Sequence, residues 1–257
     1  MCLIIFSWQQ HADHPLILVA NRDERYTRPT EQLQRWQDIP EIIGGRDLQA
    51  GGSWLAVNRQ GRFAAVTNVR DPRPVSEDTR SRGKLITDCL TSDLSLADWL
   101  GQLRHTRQEY AGFNLLVGDI RAAQLFCYNN QSDQLQELPS GLYGLSNSEL
   151  DDPWPKVNRG KQLLDDALHP GGPPDLDALL GLLTDNQQPD EAELPDTGIG
   201  LELERMLSPI TIQTDDYGTC SSTVLLTDHL GQVQMHEQNR RPGAETTLMT
   251  EFWKIDG

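Results

Sequence analysis

The sequence predicts an α+β layered fold in one domain spanning residues 1–257, and three observations carry that prediction. Apolar runs of strand length recur early between turn signals. Helical periodicity follows, and strand runs then return, with no regular β–α alternation of the kind a doubly wound parallel sheet requires. No internal repeat is present, and a chain of 257 residues is long enough to bury a sizeable core without metal or disulfide staples.

Leu3 to Trp8 is a nearly continuous apolar run and Leu16 to Ala20 another, with a loop around His11 to Pro15 between them, so the two read as an antiparallel hairpin. Ser53 to Asn58 and Phe63 to Asn68, joined by Arg59-Gln60-Gly61-Arg62, read as a second hairpin. Gly83 to Leu103 has helical period, as do Trp154 to Leu168 and Leu176 to Thr184. Between them, strands are expected at Phe113 to Gly118, Ala123 to Tyr128 and Gly141 to Ser146, and a last pair at Ser221 to Thr227 and Gly231 to Glu237. Residues 185–200 are acidic, rich in Pro and Gly and without period, which predicts a mobile surface loop.

The formal net charge is −16. A field of that sign repels phosphate backbones and anionic membrane surfaces, which sets nucleic acid aside as a main partner. No apolar run approaches the ~20 residues of a bilayer span, so stable membrane insertion is not expected. The N-terminal apolar run has no basic region before it and stops at Ser7, unlike a signal peptide. Cys2, Cys89, Cys127 and Cys220 form no Cys-x-x-Cys pair and no zinc spacing. Free thiols in a cytoplasmic chain, with no metal, are therefore expected. His11-x-x-His14 sits in a loop and lacks further ligands, while Gly44 to Gly52 and Arg82-Gly83-Lys84 lack the pattern of a phosphate loop and read as turns or rims.

Two features carry chemistry. A small residue after Met1 permits Met1 removal, which would leave Cys2 with a thiol and a free α-amine, a nucleophile beside its own base. Equally, Cys2 can simply be a small hydrophobe that begins a buried strand. Asn21-Arg22-Asp23-Glu24 follows the second apolar run as four polar residues in a row, either a solvated turn or a site.

Met1-Cys2-Leu3-Ile4 followed by this tetrapeptide resembles the NRDE-motif family, also called the transport and Golgi organisation protein 2 family. Gly44-Gly45-Arg46-Asp47, Gly51-Gly52-Ser53-Trp54, Phe63 to Arg70, Gly112-Phe113-Asn114-Leu115-Leu116, Leu145-Ser146-Asn147-Ser148, Trp154-Pro155-Lys156-Val157 and Tyr217 to Thr223 are similar to its other blocks. The family in turn resembles the cysteine branch of the N-terminal nucleophile hydrolases, which implies a four-layer αββα sandwich of two antiparallel sheets between helical layers. The same resemblance implies that Cys2 is the nucleophile and that Asn68 and Asn147 bind the oxyanion. In an ideal strand Asn21 and Asp23 face one side and Arg22 and Glu24 the other, a bulge could turn more of them inward, and Asp23 is the residue expected to accept a hydrogen bond from the Cys2 amine. Asn21, Arg22, Glu24, Arg70 and Cys220 are expected on the substrate side. Arg22 and Asp23 are adjacent where that branch spaces its Arg and Asp three apart, and Cys220 stands near where the branch places an arginine.

The expected function is hydrolysis of a non-peptide amide or related acyl bond of a small molecule, without a cofactor. The alternative is a non-catalytic protein of the same family that binds or traffics a small molecule or haem. The sequence offers no Cys-Pro dipeptide and no convincing axial His pair for haem.

Overall fold

The computed structural model describes residues 2–73, 76, 78–169 and 171–256. β1 (Cys2–Trp8) and β2 (Leu16–Arg25) form the expected hairpin, with Cys2 opposite Arg22. β2 does not stop at Ala20. It continues through the polar tetrapeptide, whose first three residues are buried, so Asn21 to Glu24 is strand rather than turn.

β3 (Thr30–Arg35) and β4 (Ile42–Asp47) follow, then the second hairpin, β5 (Leu55–Asn58) and β6 (Arg62–Asn68). The expected single helix over Gly83 to Leu103 is two helices, α1 (Gly83–Leu90) and α2 (Leu96–Thr106). Ser95 starts the second one: its side chain accepts the Asp98 N–H, satisfying a donor that a helix leaves open at its first turn. β7 (Phe113–Asp119), β8 (Gln124–Asn129), β9 (Gln134–Glu137) and β10 (Gly141–Leu145) lead to α3 (Pro155–Leu168) and α4 (Leu176–Leu182). α5 (Leu201–Met206), β11 (Tyr217–Thr227), β12 (Gln232–Asn239) and β13 (Leu248–Lys254) complete the chain.

Two antiparallel sheets result, in the orders β10-β1-β2-β11-β12-β13 and β3-β4-β5-β6-β7-β8-β9. Strand alternation sorts the core into three layers. Ile4, Phe6, Leu16 and Leu18 meet Leu55, Val57, Phe63 and Leu116 between the sheets. Leu3, Ile5, Ile17 and Val19 turn outward and are covered by Val157 and Leu164 of α3 and Leu179 and Leu180 of α4. Ala64, Val66, Leu115 and Val117 turn outward from the other sheet under Leu85, Ile86 and Cys89 of α1 and Leu100 of α2. The architecture is the four-layer αββα sandwich.

Gly44 and Gly45 lie inside β4, not in a turn or rim. A Cβ at Gly45 would sit 2.3 Å from the Trp54 ring, so the missing side chain is what lets that indole lie against the strand. Gly52 is equally tight, but against backbone. A Cβ there would lie 2.3 Å from the backbone carbon of Gly83, which fixes the loop before β5 against the start of α1. Backbone cannot rotate away as a side chain can, so Gly52→Ala is expected to lower stability by about 1–3 kcal/mol in urea unfolding. An unchanged midpoint would show that α1 shifts freely.

The 185–200 segment folds on itself. Asp190 and Glu193 make reciprocal capping bonds around a 3-10 turn at Glu191–Glu193, and Glu204 of α5 accepts the Thr197 N–H at 2.9 Å.

Candidate active site

Even-numbered residues of β1 and β2 face the space between the sheets, which puts Cys2 and Arg22 side by side where that space opens. The opening is a cleft of about 320 Å³ lined by Cys2, Arg22, Asp23, Glu24 and Asn68, together with Trp54, Arg28, Asp47, Arg80, Arg82 and Gly83. Cys2 is partly exposed, whereas Cys89, Cys127 and Cys220 are buried. Burial pushes the Cys2 thiol up, while Arg22 and a hydrogen bond from the Asp23 backbone act in the opposite direction.

Asp23 is fixed from β11. Its Oδ1 accepts the Thr219 hydroxyl at 2.7 Å, and Thr219 is its register partner. The register shifts between Thr219 and Ser221, so Cys220 is the extra residue of a β-bulge opposite Arg22 and Asp23. Burial pushes the Asp23 carboxyl up, and the Lys156 ammonium pulls it back. Lys156 is itself buried on α3, donates to the Leu207 carbonyl at 3.1 Å, and is pushed down by burial to about 8. Sequence reasoning quoted Lys156 within a block but gave it no role. A lysine among apolar helix positions was the available signal.

The remaining assignments divide. Asn68 lines the cleft, and its carbonyl accepts the Asn147 amide at 2.8 Å. Asn147 does not line the cleft, being buried behind it, although its neighbour Ser146 donates to the Cys2 carbonyl at 3.3 Å. The loop carrying both is held by Asn114, whose amide donates to the Ser148 carbonyl at 2.6 Å and to Thr67 at 3.1 Å. Asn21 is not in the cleft lining; it lies before the bulge and its side chain is tied to the helical side of the sheet. Its amide donates to the Leu183 and Ile210 carbonyls, both at 2.9 Å, and its oxygen accepts Ser222.

Arg70 is also elsewhere. It is ion-paired with Glu204, both side chains being at most 5% exposed, and stacks on Trp154 at 4.5 Å. Cys220 does not line the cleft, its thiol donating to the Glu24 and Gly218 carbonyls. Asn21, Arg70 and Cys220, expected on the substrate side, thus lie outside the described lining of this cleft and are bonded within the fold. No group of three or more His, Cys, Asp or Glu side chains among the described residues is placed to hold a metal.

Behind Arg22, between the sheets, lies Glu237. Its Oε1 accepts the Leu33 N–H at 3.0 Å, while Oε2 has no hydrogen-bond partner among the described residues. Burial pushes this carboxyl up to about 7 from 4.5, against the pull of the Leu33 N–H, Arg22, Ser221 and Arg241. The sign follows: the proton is held more tightly in the folded state, so this group's contribution is full below pH 4.5 and is lost as pH rises toward 7, then stays level. At 1.36 kcal/mol per unit the loss is roughly 3 kcal/mol. Glu237→Gln keeps an acceptor for Leu33 and cannot ionise. Urea unfolding at pH 5 and pH 8 should show the wild type losing stability relative to Glu237→Gln at the higher pH, and parallel pH curves would remove Glu237 as the cause.

Among known proteins, the Transport and Golgi organisation 2 family matches residues 1–242. The chain is 35% identical to the Transport and Golgi organization protein 2 homolog of Bos taurus over 93% of each chain. It is 27% identical to Transport and Golgi organization protein 2 of Drosophila melanogaster over 93% of this chain and 92% of that one. Among solved structures, a variant of conjugated bile acid hydrolase from Clostridium perfringens superposes with a TM-score of 0.50, covering 99% of this chain and 98% of that one. Its sequence identity is 8%, so that likeness concerns the fold alone, which is of the N-terminal nucleophile hydrolase type.

Proposed function

The chain belongs to the Transport and Golgi organisation 2 family, and from that membership and the geometry of its cleft we propose that it is an N-terminal cysteine hydrolase acting on a non-peptide amide or related acyl bond of a small molecule. The observation that carries this reading is the position of Cys2: the first residue of an interior strand is the partly exposed thiol, and it opens into a cleft beside Asp23, Asn68 and Arg22. With Met1 removed, the Cys2 amine takes the thiol proton and the thiolate attacks the acyl carbonyl. The carbon–nitrogen bond breaks, the proton passes to the leaving amine, and water then releases the acid and restores the thiol. The new ammonium beside the thiol favours the thiolate, offsetting the burial that raises it.

Asp23, locked by Thr219, holds that ammonium, and the Asn68 amide is the donor on the cleft wall for the developing oxyanion. Asn147 acts through Asn68 by fixing its backbone, which makes it a positioning residue. The test is a screen of Met1-free protein against N-acyl amides, with mass spectrometry for an acyl adduct on Cys2. Turnover with an adduct on Cys2 supports the reading. A Met1-free protein that neither turns over nor acylates leaves the binding and trafficking alternative.

A further inference from the structure

Four arginines line the cleft, and they are not equivalent. Arg28 is paired with Asp47 at 2.7 Å and Arg80 with Glu109 at 3.0 Å, so each carries its counter-charge with it. Arg22 is different. It is 5% exposed, has its guanidinium carbon over the Trp54 ring 4.2 Å from the centroid, and makes no hydrogen bond or ion pair with any described residue. A guanidinium offers five N–H donors, and none of the Arg22 nitrogens is among the fully buried unpartnered atoms, so they are accessible to a ligand in the cleft. Its stacking partner orients the plane without using a donor.

Arg82 is the second unneutralised cation. One of its nitrogens donates to the Gly112 carbonyl at 3.0 Å, and no carboxylate is within pairing distance among the described residues. Arg82 is also the N-cap of α1, which has no side-chain cap and no acidic residue in its first turn, and Gly83 at its start lines the cleft. The start of the helix therefore faces the same space with its partial positive charge, although the Lys84 and Leu85 N–H groups are taken by the Ser81 and Arg82 carbonyls. Among the described residues the carboxylates that line this space are Asp47, which Arg28 neutralises, Asp23, which Thr219 holds, and Glu24, which accepts the Arg25 N–H. In a chain whose net charge is −16, two arginines at one opening with no ion-pair partner among the described residues are a local exception, Glu237 behind Arg22 and Glu24 near Arg82 acting only at longer range.

We propose that the cleft takes ligands bearing one carboxylate or phosphate group, held between the Arg22 guanidinium and the Arg82 guanidinium at the start of α1. This deepens the hydrolase reading by giving its substrate a charge, but binding of the anion does not require turnover. A planar carboxylate or a phosphate meets two N–H donors of Arg22 at once, with Trp54 behind them. The acyl carbonyl then lies toward Cys2, on the same wall.

The test is calorimetric binding to Cys2→Ala protein, which removes chemistry from the measurement. N-hexanoylglycine carries the carboxylate, N-hexanoylglycinamide is its neutral isostere, and hexyl phosphate separates phosphate from carboxylate recognition. One of the two anionic probes should bind about 10- to 100-fold more tightly than the amide, the range of charge-assisted hydrogen bonds. Arg22→Gln and Arg82→Gln should each erase most of that preference, and Arg80→Gln, whose arginine is already paired, should keep it. Equal affinity for all three probes overturns the proposal, as does a preference that survives both Arg22→Gln and Arg82→Gln. Anion preference without turnover by the Met1-free protein would refute the hydrolase reading and leave the anion site standing.

Discussion

Cys2→Ala is expected to reduce acyl transfer by roughly 10⁴- to 10⁶-fold, the scale on which a covalent mechanism loses its nucleophile, with circular dichroism and thermal midpoint little changed. The fold does not depend on the thiol. Cys2 is held by its backbone, through the register with Arg22 and the Ser146 bond to its carbonyl, and both survive the substitution. The same variant should lose the fast phase of labelling by limiting iodoacetamide at pH 7. The competing thiols are poor nucleophiles for physical reasons. Burial pushes Cys89 and Cys127 up to about 12, and Cys220 is buried in a bulge with two backbone carbonyls beside its sulfur. Fastest labelling at Cys220, with turnover unchanged in Cys2→Ala, would overturn the assignment.

The largest expected loss of stability is at Arg70. Removing one partner of a buried ion pair strands the other charge, at about 3–5 kcal/mol, and both Arg70 and Glu204 are at most 5% exposed. Arg70→Ala also empties the face of Trp154. Glu204→Gln keeps acceptors for the Thr197 N–H and hydroxyl and should cost less. Denaturant unfolding of both variants gives the comparison. Because Arg70 does not line the cleft, substrate affinity measured on folded protein should be nearly unchanged in Arg70→Ala. A selective loss of affinity at unchanged stability would return Arg70 to the substrate side.

The strands that were legible are those whose apolar residues run together. Leu16 to Ala20 announces itself, but its continuation through Asn21 to Glu24 does not, because polar residues mimic a turn when sequence alone is read. They are buried because each finds a role in the fold: Asn21 in the helical layer, Arg22 on Trp54, Asp23 on Thr219. β3, with Leu33 alone fully covered, and β4, with two glycines, show too little alternation to be recognised. The break before α2 is carried by Ser95, one hydroxyl inside a sequence of otherwise helical period.

Within the site, proximity in sequence to a recognisable block was an unreliable guide to where a side chain points. Asn21 and Arg22 are neighbours on opposite faces of one strand. Asn68 and Arg70 are two apart, yet one lines the cleft and the other is buried against α5. In the sequence Arg82 belongs only to an incomplete phosphate-loop pattern, and its meaning depends on Gly52 bringing the start of α1 to the cleft, a long-range approach that spacing does not reveal.

β1 lies in the interior of its sheet, between β2 and β10. One of these neighbours is synthesised almost at once, while the other starts at Gly141. At ~5–20 residues per second of synthesis, roughly six to twenty-five seconds pass during which the hairpin bearing Cys2 has one flank unclosed. Any trimming that exposes the Cys2 amine therefore has a time limit set by translation. An aminopeptidase present during synthesis meets an open hairpin, whereas one added to finished protein meets a strand paired with β2 at Cys2 and flanked on both sides from Ile4 onward. Yield of the processed form should accordingly depend on the enzyme's abundance during expression far more than on later incubation.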